Sequence, residues 1–358
     1  MENRYNYGGK DFFNEGLSDT YIRKPTVRQA GMLYLTAVLL LVFVGSRVQK
    51  HNFNTGIFVT EFVLILLPPL IFLYIKKYDI PKLLRLNRIS TANLLLILML
   101  MIFALPLVGA LNFVNLMLLK SVFGKVMISQ PPIAADPRGL LVNILLIGGS
   151  AGICEEVLFR GTIQRGFERF GAAKAILITS FLFGLMHVDF QKLLGTFLLG
   201  ALIGFIVYRT DSIFGGMFAH FTNNSIAVLL TFGMNRLAQS VKAPGIGNAG
   251  GKAAVSDLDI SAIFNMPREQ LMIIVIFWVI VVIFCACVFS ALIFALLRNT
   301  PKTTAGIGRE VSVKTENKLV WMLPGMLVVG FLYFAEGLKL KGVSNPFIES
   351  IIRFLGLR

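Results

Sequence analysis

The chain has 358 residues, of which 56% are hydrophobic and only 15% are charged. Because a soluble globular chain is about one quarter charged, this composition excludes an ordinary soluble protein and predicts an all-α, polytopic transmembrane helix bundle. The net charge of +15 is typical of a membrane protein with Lys and Arg in its cytoplasmic loops, so we expect no nucleic acid partner. The three cysteines lie in apolar runs, which excludes a disulfide scaffold and a Cys-rich metal site.

The N-terminal part of the chain is predicted to be a polar arm followed by three membrane spans. Residues 1–28 carry charges of both signs and form the predicted cytoplasmic arm rather than a signal peptide. Within 29–138 the apolar runs predict a kink at Pro68 and Pro69, and a tilt or break at Pro106. We interpret Glu61, a lone acid in the second span, as a residue that snorkels or caps. The predicted spans are 30–48, 57–75 and 94–119.

The rest of the chain is predicted to hold four central spans, a loop and two further spans. Residues 139–232 form the central unit, with a helix break at Gly171. Segment 233–268 is polar and rich in Gly and Ala, which predicts a flexible loop. Segment 269–358 holds the last spans and a tail, 346–358, whose apolar spacing favours a membrane surface. The predicted spans begin near Gly139 and continue with 172–187, 193–208, 212–230, 271–297 and 319–334.

The whole chain is thus predicted to have about eight or nine spans and to have the lipid bilayer as a partner. Short loops with an excess of Lys and Arg lie on the cytoplasmic side. Counting these residues over the short loops places the N-terminus in the cytoplasm and the C-terminus outside. We expect an integral protein of a bacterial cell membrane.

Three ionisable residues stand near the end of the fourth span. Ionisable groups at this depth are costly and mark functional sites in membrane proteins. Glu156 and Arg160 are four residues apart on a helix, which predicts an ion pair. Glu155 has no such partner in the sequence and is free to do chemistry.

Two histidines occur in neighbouring apolar spans, His187 in the fifth and His220 in the seventh. An antiparallel hairpin about Gly171 brings Glu155 and His187 to the same depth, whereas His220 is predicted ~12 Å shallower for straight helices. A shared helix face is also predicted for two pairs at i,i+4 spacing, namely Phe183 with His187 and His220 with Asn224.

Two chemistries fit these residues. A carboxylate with a neutral imidazole can activate water, and a histidine with an asparagine can hold an oxyanion. Alternatively, Glu155, His187 and His220 are a possible zinc set, although the helical His-Glu-x-x-His motif is absent. Cys154 is a weaker candidate nucleophile. We therefore predict no cofactor and leave zinc open.

Three motifs in this order on successive membrane helices resemble a known family. They are Glu155-Glu156-x-x-x-Arg160, Phe183-x-x-x-His187 and His220-x-x-x-Asn224. They resemble the CPBP family of CAAX proteases and bacteriocin-processing enzymes, also called Abi proteins, which includes the type II CAAX prenyl endopeptidases. The resemblance covers residues 139–230.

The resemblance implies an intramembrane endopeptidase that hydrolyses membrane-associated peptide or protein substrates. Glu155 and His187 would activate the water, and His220 with Asn224 would stabilise the oxyanion. The supporting residues would be Glu156, Arg160 and Phe183. The family is often labelled metalloprotease, although its structural interpretation favours a water activated without metal. The short spacing between the two histidines departs from the eukaryotic enzymes and argues against prenylated substrates.

Two other functions are possible for the same residues. A non-catalytic immunity or scaffold protein on the same fold would use the pocket only to bind, but it has little need of a buried carboxylate beside imidazoles. A proton-coupled transporter would use Glu155 and His187 as a relay. No inverted repeat or pair of broken helices favours the transporter.

Overall fold

The computed structural model describes residues 22–240, 254–257, 266–300, 319–343, 345–347 and 349–350. Over these residues the fold is a bundle of helices with one short two-stranded ribbon. The helices are α1 (Val27–His51), α2 (Phe53–Ile75), α3 (Ile80–Leu84), α4 (Thr91–Phe123), α5 (Pro137–Phe170), α6 (Ala172–Met186), α7 (Phe190–Thr210), α8 (Ile213–Ser240), α9 (Arg268–Asn299) and α10 (Leu319–Leu340). Strands β1 (Met127–Gln130) and β2 (Ala254–Asp257) pair antiparallel, with Met127 opposite Asp257.

The helices confirm the predicted all-α polytopic bundle. Eight of those in the described residues are long and apolar enough to cross a membrane, and α6 is a shorter apolar helix of 15 residues. The ninth predicted span is present as α10. Helix α9 contacts α4 and exposes large apolar side chains over much of its length, as expected for a peripheral helix facing lipid.

Local sequence signals explain where the helices begin and end. Thr26 and Gln29 form a capping box at the start of α1, which satisfies backbone N–H groups that a helix leaves free. Side chains of Ser90, Asp136 and Asp189 accept from the first backbone N–H groups of α4, α5 and α7. The helix breaks at Gly171, as predicted. The backbone φ of Gly171 is +94°, a conformation that glycine adopts without steric cost.

Several predicted boundaries differ from the structure. Helix α4 continues through Pro106 without a break, and α2 has π-helical turns over Val59–Leu66, directly before the two prolines. Helix α8 extends to Ser240, into the segment predicted as a flexible loop. Strand β2 lies in that same segment and pairs with β1. The first 21 residues of the predicted arm and residues 351–358 of the predicted tail lie outside the described residues.

Helix α5 is the centre of the bundle. It is the most buried of the candidate spans and packs against α1, α2, α6 and α8. Glu156, Arg160 and Arg165 of α5 are accordingly buried within the protein.

A buried ion cluster closes the end of α5, and we call it the Glu168 cluster. One oxygen of Glu168 lies 3.0 Å from Lys24 Nζ and 2.6 Å from Arg165 Nη1, and the other lies 2.9 Å from Arg85 Nη1. Arg85 Nε also contacts Asp211 Oδ1 at 2.7 Å. Burial lowers the pKa of Lys24, an effect that the charge of Glu168 opposes. The cluster joins segments that are far apart in the sequence.

Candidate active site

The acidic motif of α5 forms a buried ion pair. Glu156 is fully buried and Arg160 is 1% exposed. Arg160 Nη1 donates to Glu156 Oε1 at 2.8 Å, and Arg160 Nη2 donates to the carbonyl of Gly200 at 3.1 Å. The guanidinium also lies 4.6 Å from the centre of the Phe183 ring. The pair expected from the i,i+4 spacing is therefore present. The additional hydrogen bond from Arg160 to the carbonyl of Gly200 on α7 was not predicted from the sequence.

His220 on α8 joins the two glutamates. Its Nδ1 lies 2.9 Å from Glu156 Oε1, and because a carboxylate accepts, Nδ1 carries a proton. Its Nε2 lies 4.0 Å from Glu155 Oε2, which is too long for a direct hydrogen bond. Glu155 Oε2 is buried and has no hydrogen-bond partner within the described part of the chain. Among the described residues, this carboxylate oxygen therefore accepts no hydrogen bond that would stabilise the fold.

His187 lies at the end of α6 on the open side of the site. Its Nδ1 is 2.9 Å from the carbonyl oxygen of Phe183, so Nδ1 donates and Nε2 keeps its lone pair. The Phe183 ring meets both imidazoles edge-on, with centroids 4.9 Å from His187 and 5.8 Å from His220. His187 is exposed, whereas the side chain of Glu155 is 12% exposed. The Phe183 ring thus contacts both histidines.

The predicted depth of His220 is wrong, since its Nδ1 bonds Glu156 and its Nε2 lies 4.0 Å from Glu155. The prediction took Gly171 and the turn before α8 to lie at one depth. In the structure the start of α8 lies beside Gly161, where an added Cβ would be 3.3 Å from Ile213 Cδ1. Helix α5 therefore continues well past this turn. At a rise of 1.5 Å per residue, the residues of α5 beyond Gly161 account for the ~12 Å by which His220 was predicted to lie too shallow.

Asn224 lies one turn from His220 and is held by two hydrogen bonds. Its Nδ2 donates to the carbonyl of Ile147 at 3.0 Å, and its Oδ1 accepts from Asn223 Nδ2 at 3.0 Å. An amide nitrogen has two N–H groups, so one remains for a substrate oxygen. Asn223 was not selected from the sequence, although it stands beside Asn224 in the same motif. It orients the amide whose donor the site can use.

Close approach of α5 and α8 brings His220 to the glutamates. A Cβ added at Gly152 would lie 3.0 Å from the carbonyl oxygen of Met217 and 3.2 Å from the backbone nitrogen of Phe221. A Cβ added at Gly216 would lie 3.0 Å from Glu156 Oε2. Gly152 therefore allows the backbone contact between α5 and α8, and Gly216 leaves room for the Glu156 carboxylate that binds His220.

We expect Gly152→Ala to lower both stability and activity. The added methyl group meets backbone atoms of α8, so the helices must separate by a few tenths of an ångström, and overpacking of this kind costs about 1–3 kcal/mol. Gly149→Ala is the matched control, because a Cβ there meets nothing within 4 Å. The midpoint of thermal unfolding in detergent should fall for Gly152→Ala and stay or rise for Gly149→Ala. Equal midpoints for the two variants would contradict the close approach.

The side chains considered for zinc do not form a metal-binding group in this structure. Within the described residues, no three His, Cys, Asp or Glu side chains are gathered so that they could hold a metal ion. Of the three candidates, Glu155 and His220 have Oε2 and Nε2 atoms that lie 4.0 Å apart.

Fold and site together define a polytopic membrane protein with a cluster of Glu and His side chains at the centre of its bundle. The family model described as Type II CAAX prenyl endopeptidase Rce1-like matches residues 137–226. The matched region includes every site residue from Glu155 to Asn224, and it supports the similarity of this segment to the CAAX protease family that its motifs resemble. Comparisons with curated proteins and with solved structures gave no match.

Proposed function

We propose that the protein is an intramembrane endopeptidase that hydrolyses peptide bonds of membrane-associated peptides or proteins with an activated water. The observation that carries this proposal is the unpartnered Glu155 Oε2, 4.0 Å from His220 Nε2. A reacting oxygen is required about 3 Å from both the base and the oxyanion donor, and two atoms 4.0 Å apart have a spacing that allows one oxygen to bridge them. His187 lies on the open side, where substrate would enter.

The geometry supports a metal-free sequence of proton transfers. Glu155 accepts a proton from water as the water oxygen attacks the peptide carbonyl carbon, and the lone pair of His187 Nε2 orients that water. The proton then passes from Glu155 to the leaving amine nitrogen as the C–N bond breaks.

The developing oxyanion needs hydrogen-bond donors. His220 would be one of them through Nε2–H in the form that carries a proton on both ring nitrogens. The free N–H of Asn224 is the other donor. Glu156 and Arg160 fix the ring of His220 through its Nδ1–H.

The principal alternative is a non-catalytic binding protein, because the CAAX protease family also includes inactive members. Two features support catalysis instead. In both histidines, Nδ1 is hydrogen-bonded to a protein acceptor, and Nε2 is available for a substrate or a water molecule. Glu155 is held in a largely buried position without a counter-charge bonded to it. A binding pocket gains nothing from an unpaired carboxylate, which is costly to bury.

The test is a comparison of peptide termini in membranes that contain the wild type or Glu155→Ala. We expect a set of new termini in membrane proteins that appears only with the wild type. Identical termini in both samples would leave the binding function as the better account. Cleavage of an identified substrate should also persist after treatment with a zinc chelator. Loss on chelation, restored by zinc, would overturn the metal-free sequence.

A further inference from the structure

The turn between α6 and α7 holds His187 next to an unusual backbone conformation. Val188, the residue after His187, has a φ of +46°. A β-branched residue rarely adopts a positive φ, and such a conformation persists only where surrounding contacts hold it, often at a functional site. The position of His187 therefore depends on contacts that other parts of the fold make with this turn.

Tyr333 of α10 contacts the turn on both sides of His187. Its hydroxyl oxygen accepts from the backbone N–H of Asp189 at 3.3 Å, two residues after His187. The same hydroxyl donates to the carbonyl of Gly184 at 3.5 Å, three residues before His187. The Tyr333 ring is buried and packs against Phe190, with ring centroids 4.7 Å apart. One side chain of α10 thus joins the end of α6 to the residue that precedes α7.

Glu336, three residues further along α10, contacts the start of α7. Its two carboxylate oxygens lie 3.3 and 3.2 Å from the backbone nitrogen of Phe190, the first residue of α7. The first N–H groups of a helix have no partner within the helix. The side chain of Asp189 accepts from the next two, those of Gln191 and Lys192. Glu336 therefore completes the cap of α7 and fixes where this helix begins after the His187 turn.

We propose that Tyr333 and Glu336 are positioning residues of the site, which hold the turn so that the His187 ring keeps the orientation its reaction needs. The His187 ring is bonded through Nδ1 to the carbonyl of Phe183, so a shift of the turn moves Nε2. Both residues lie on α10, outside the matched segment 137–226, and the sequence did not indicate them. The inference rests on the proposed function, because both residues act through His187.

Tyr333→Phe tests the inference, because it removes the hydroxyl and keeps the ring. We expect kcat to fall by on the order of 10-fold to 100-fold, since a group misplaced by about 1 Å loses on the order of 10² in rate, while KM stays unchanged. Tyr34→Phe is the matched control, because the Tyr34 hydroxyl is also buried and donates to a carbonyl of α6, that of Leu182. Both variants should lower the midpoint of thermal unfolding, but only Tyr333→Phe should lower kcat. Equal kcat values in the two variants would overturn the inference.

A pair of substitutions at Glu336 tests the second contact. Glu336→Ala removes the acceptor of the Phe190 N–H and should lower kcat. Glu336→Gln keeps a side-chain oxygen that can accept the same bond, and it should retain most of the rate. An equal loss in both variants, or no loss in Glu336→Ala, would contradict the role assigned to Glu336.

Magnetic resonance of ¹⁵N-labelled histidine rings gives a measurement that does not depend on activity. The chain has three histidines, and His187→Ala identifies the signal of His187. We expect Tyr333→Phe to shift this signal and to leave that of His51 in place, whereas Tyr34→Phe should shift neither. An unchanged His187 signal in Tyr333→Phe would overturn the inference. A shifted signal in a protein whose wild type cleaves no peptide would instead reject the proposed function alone.

Discussion

Replacement of Glu155 by glutamine is expected to reduce peptide cleavage by about 10²–10⁴, the contribution of a positioned general base. The protein should fold as before, because Glu155 Oε2 bonds nothing in the described structure and glutamine leaves no ion without its partner. The measurement combines the cleavage rate of an identified substrate with size-exclusion behaviour and thermal unfolding in detergent.

A matched change elsewhere separates loss of the base from loss of a charge. Glu269→Gln removes the same group from the exposed first turn of α9 and should cleave at the rate of the wild type. Wild-type turnover in Glu155→Gln would remove Glu155 from the mechanism. An aggregated Glu155→Gln protein would show that the carboxylate has a structural role, contrary to its lack of bonded partners.

Replacement of Arg160 by alanine should destabilise the protein and abolish activity together. The change leaves Glu156, which is fully buried, without its guanidinium, and breaking a buried ion pair from one side costs about 3–5 kcal/mol. It also removes the bond to the carbonyl of Gly200 and the contact with Phe183. We expect a lower midpoint of thermal unfolding and no cleavage, because the acceptor that fixes His220 is displaced.

Two further variants complete this test. Arg236→Ala removes an exposed arginine that lies over Phe232 on α8, and it should change stability by no more than about 0.5 kcal/mol. The double change Glu156→Gln with Arg160→Met removes both charges and should recover part of the lost stability. It should not recover cleavage, since His220 no longer has a charged acceptor. Absence of any thermal recovery would show that the pair is not the source of the loss.

Sequence patterns predicted the parts of the site that depend on spacing within one helix. The ion pair of Glu156 and Arg160 follows from a four-residue interval, and the break at Gly171 follows from the conformational freedom of glycine. The depth of His220 depends instead on packing between helices, because the start of α8 lies beside Gly161. Apolar periodicity gives the length of each helix but not its level relative to a neighbour.

The environment of Glu61 could not be predicted from the sequence either, and the interpretation that it snorkels or caps is wrong, because this residue is only 8% exposed. A lone acid in an apolar run has the same local sequence pattern whether its helix face meets lipid, water or protein. Only the packing of α2 on α5 decides among these environments. The ribbon of β1 and β2 was also missed, because each strand has four residues and its partner lies in a distant segment. Contacts between distant segments leave no local pattern in either segment.

The Glu168 cluster has a consequence for how the chain assembles in the membrane. Its cations come from before α1, from the connector after α3 and from α5 itself, and Asp211 comes from the turn between α7 and α8. Burial of Glu168 without these partners would cost several kcal/mol. The three cations that contact Glu168 all precede it in the chain, so its partners are available as soon as α5 has emerged. Asp211, which contacts Arg85, can join them only after the α7–α8 turn has emerged.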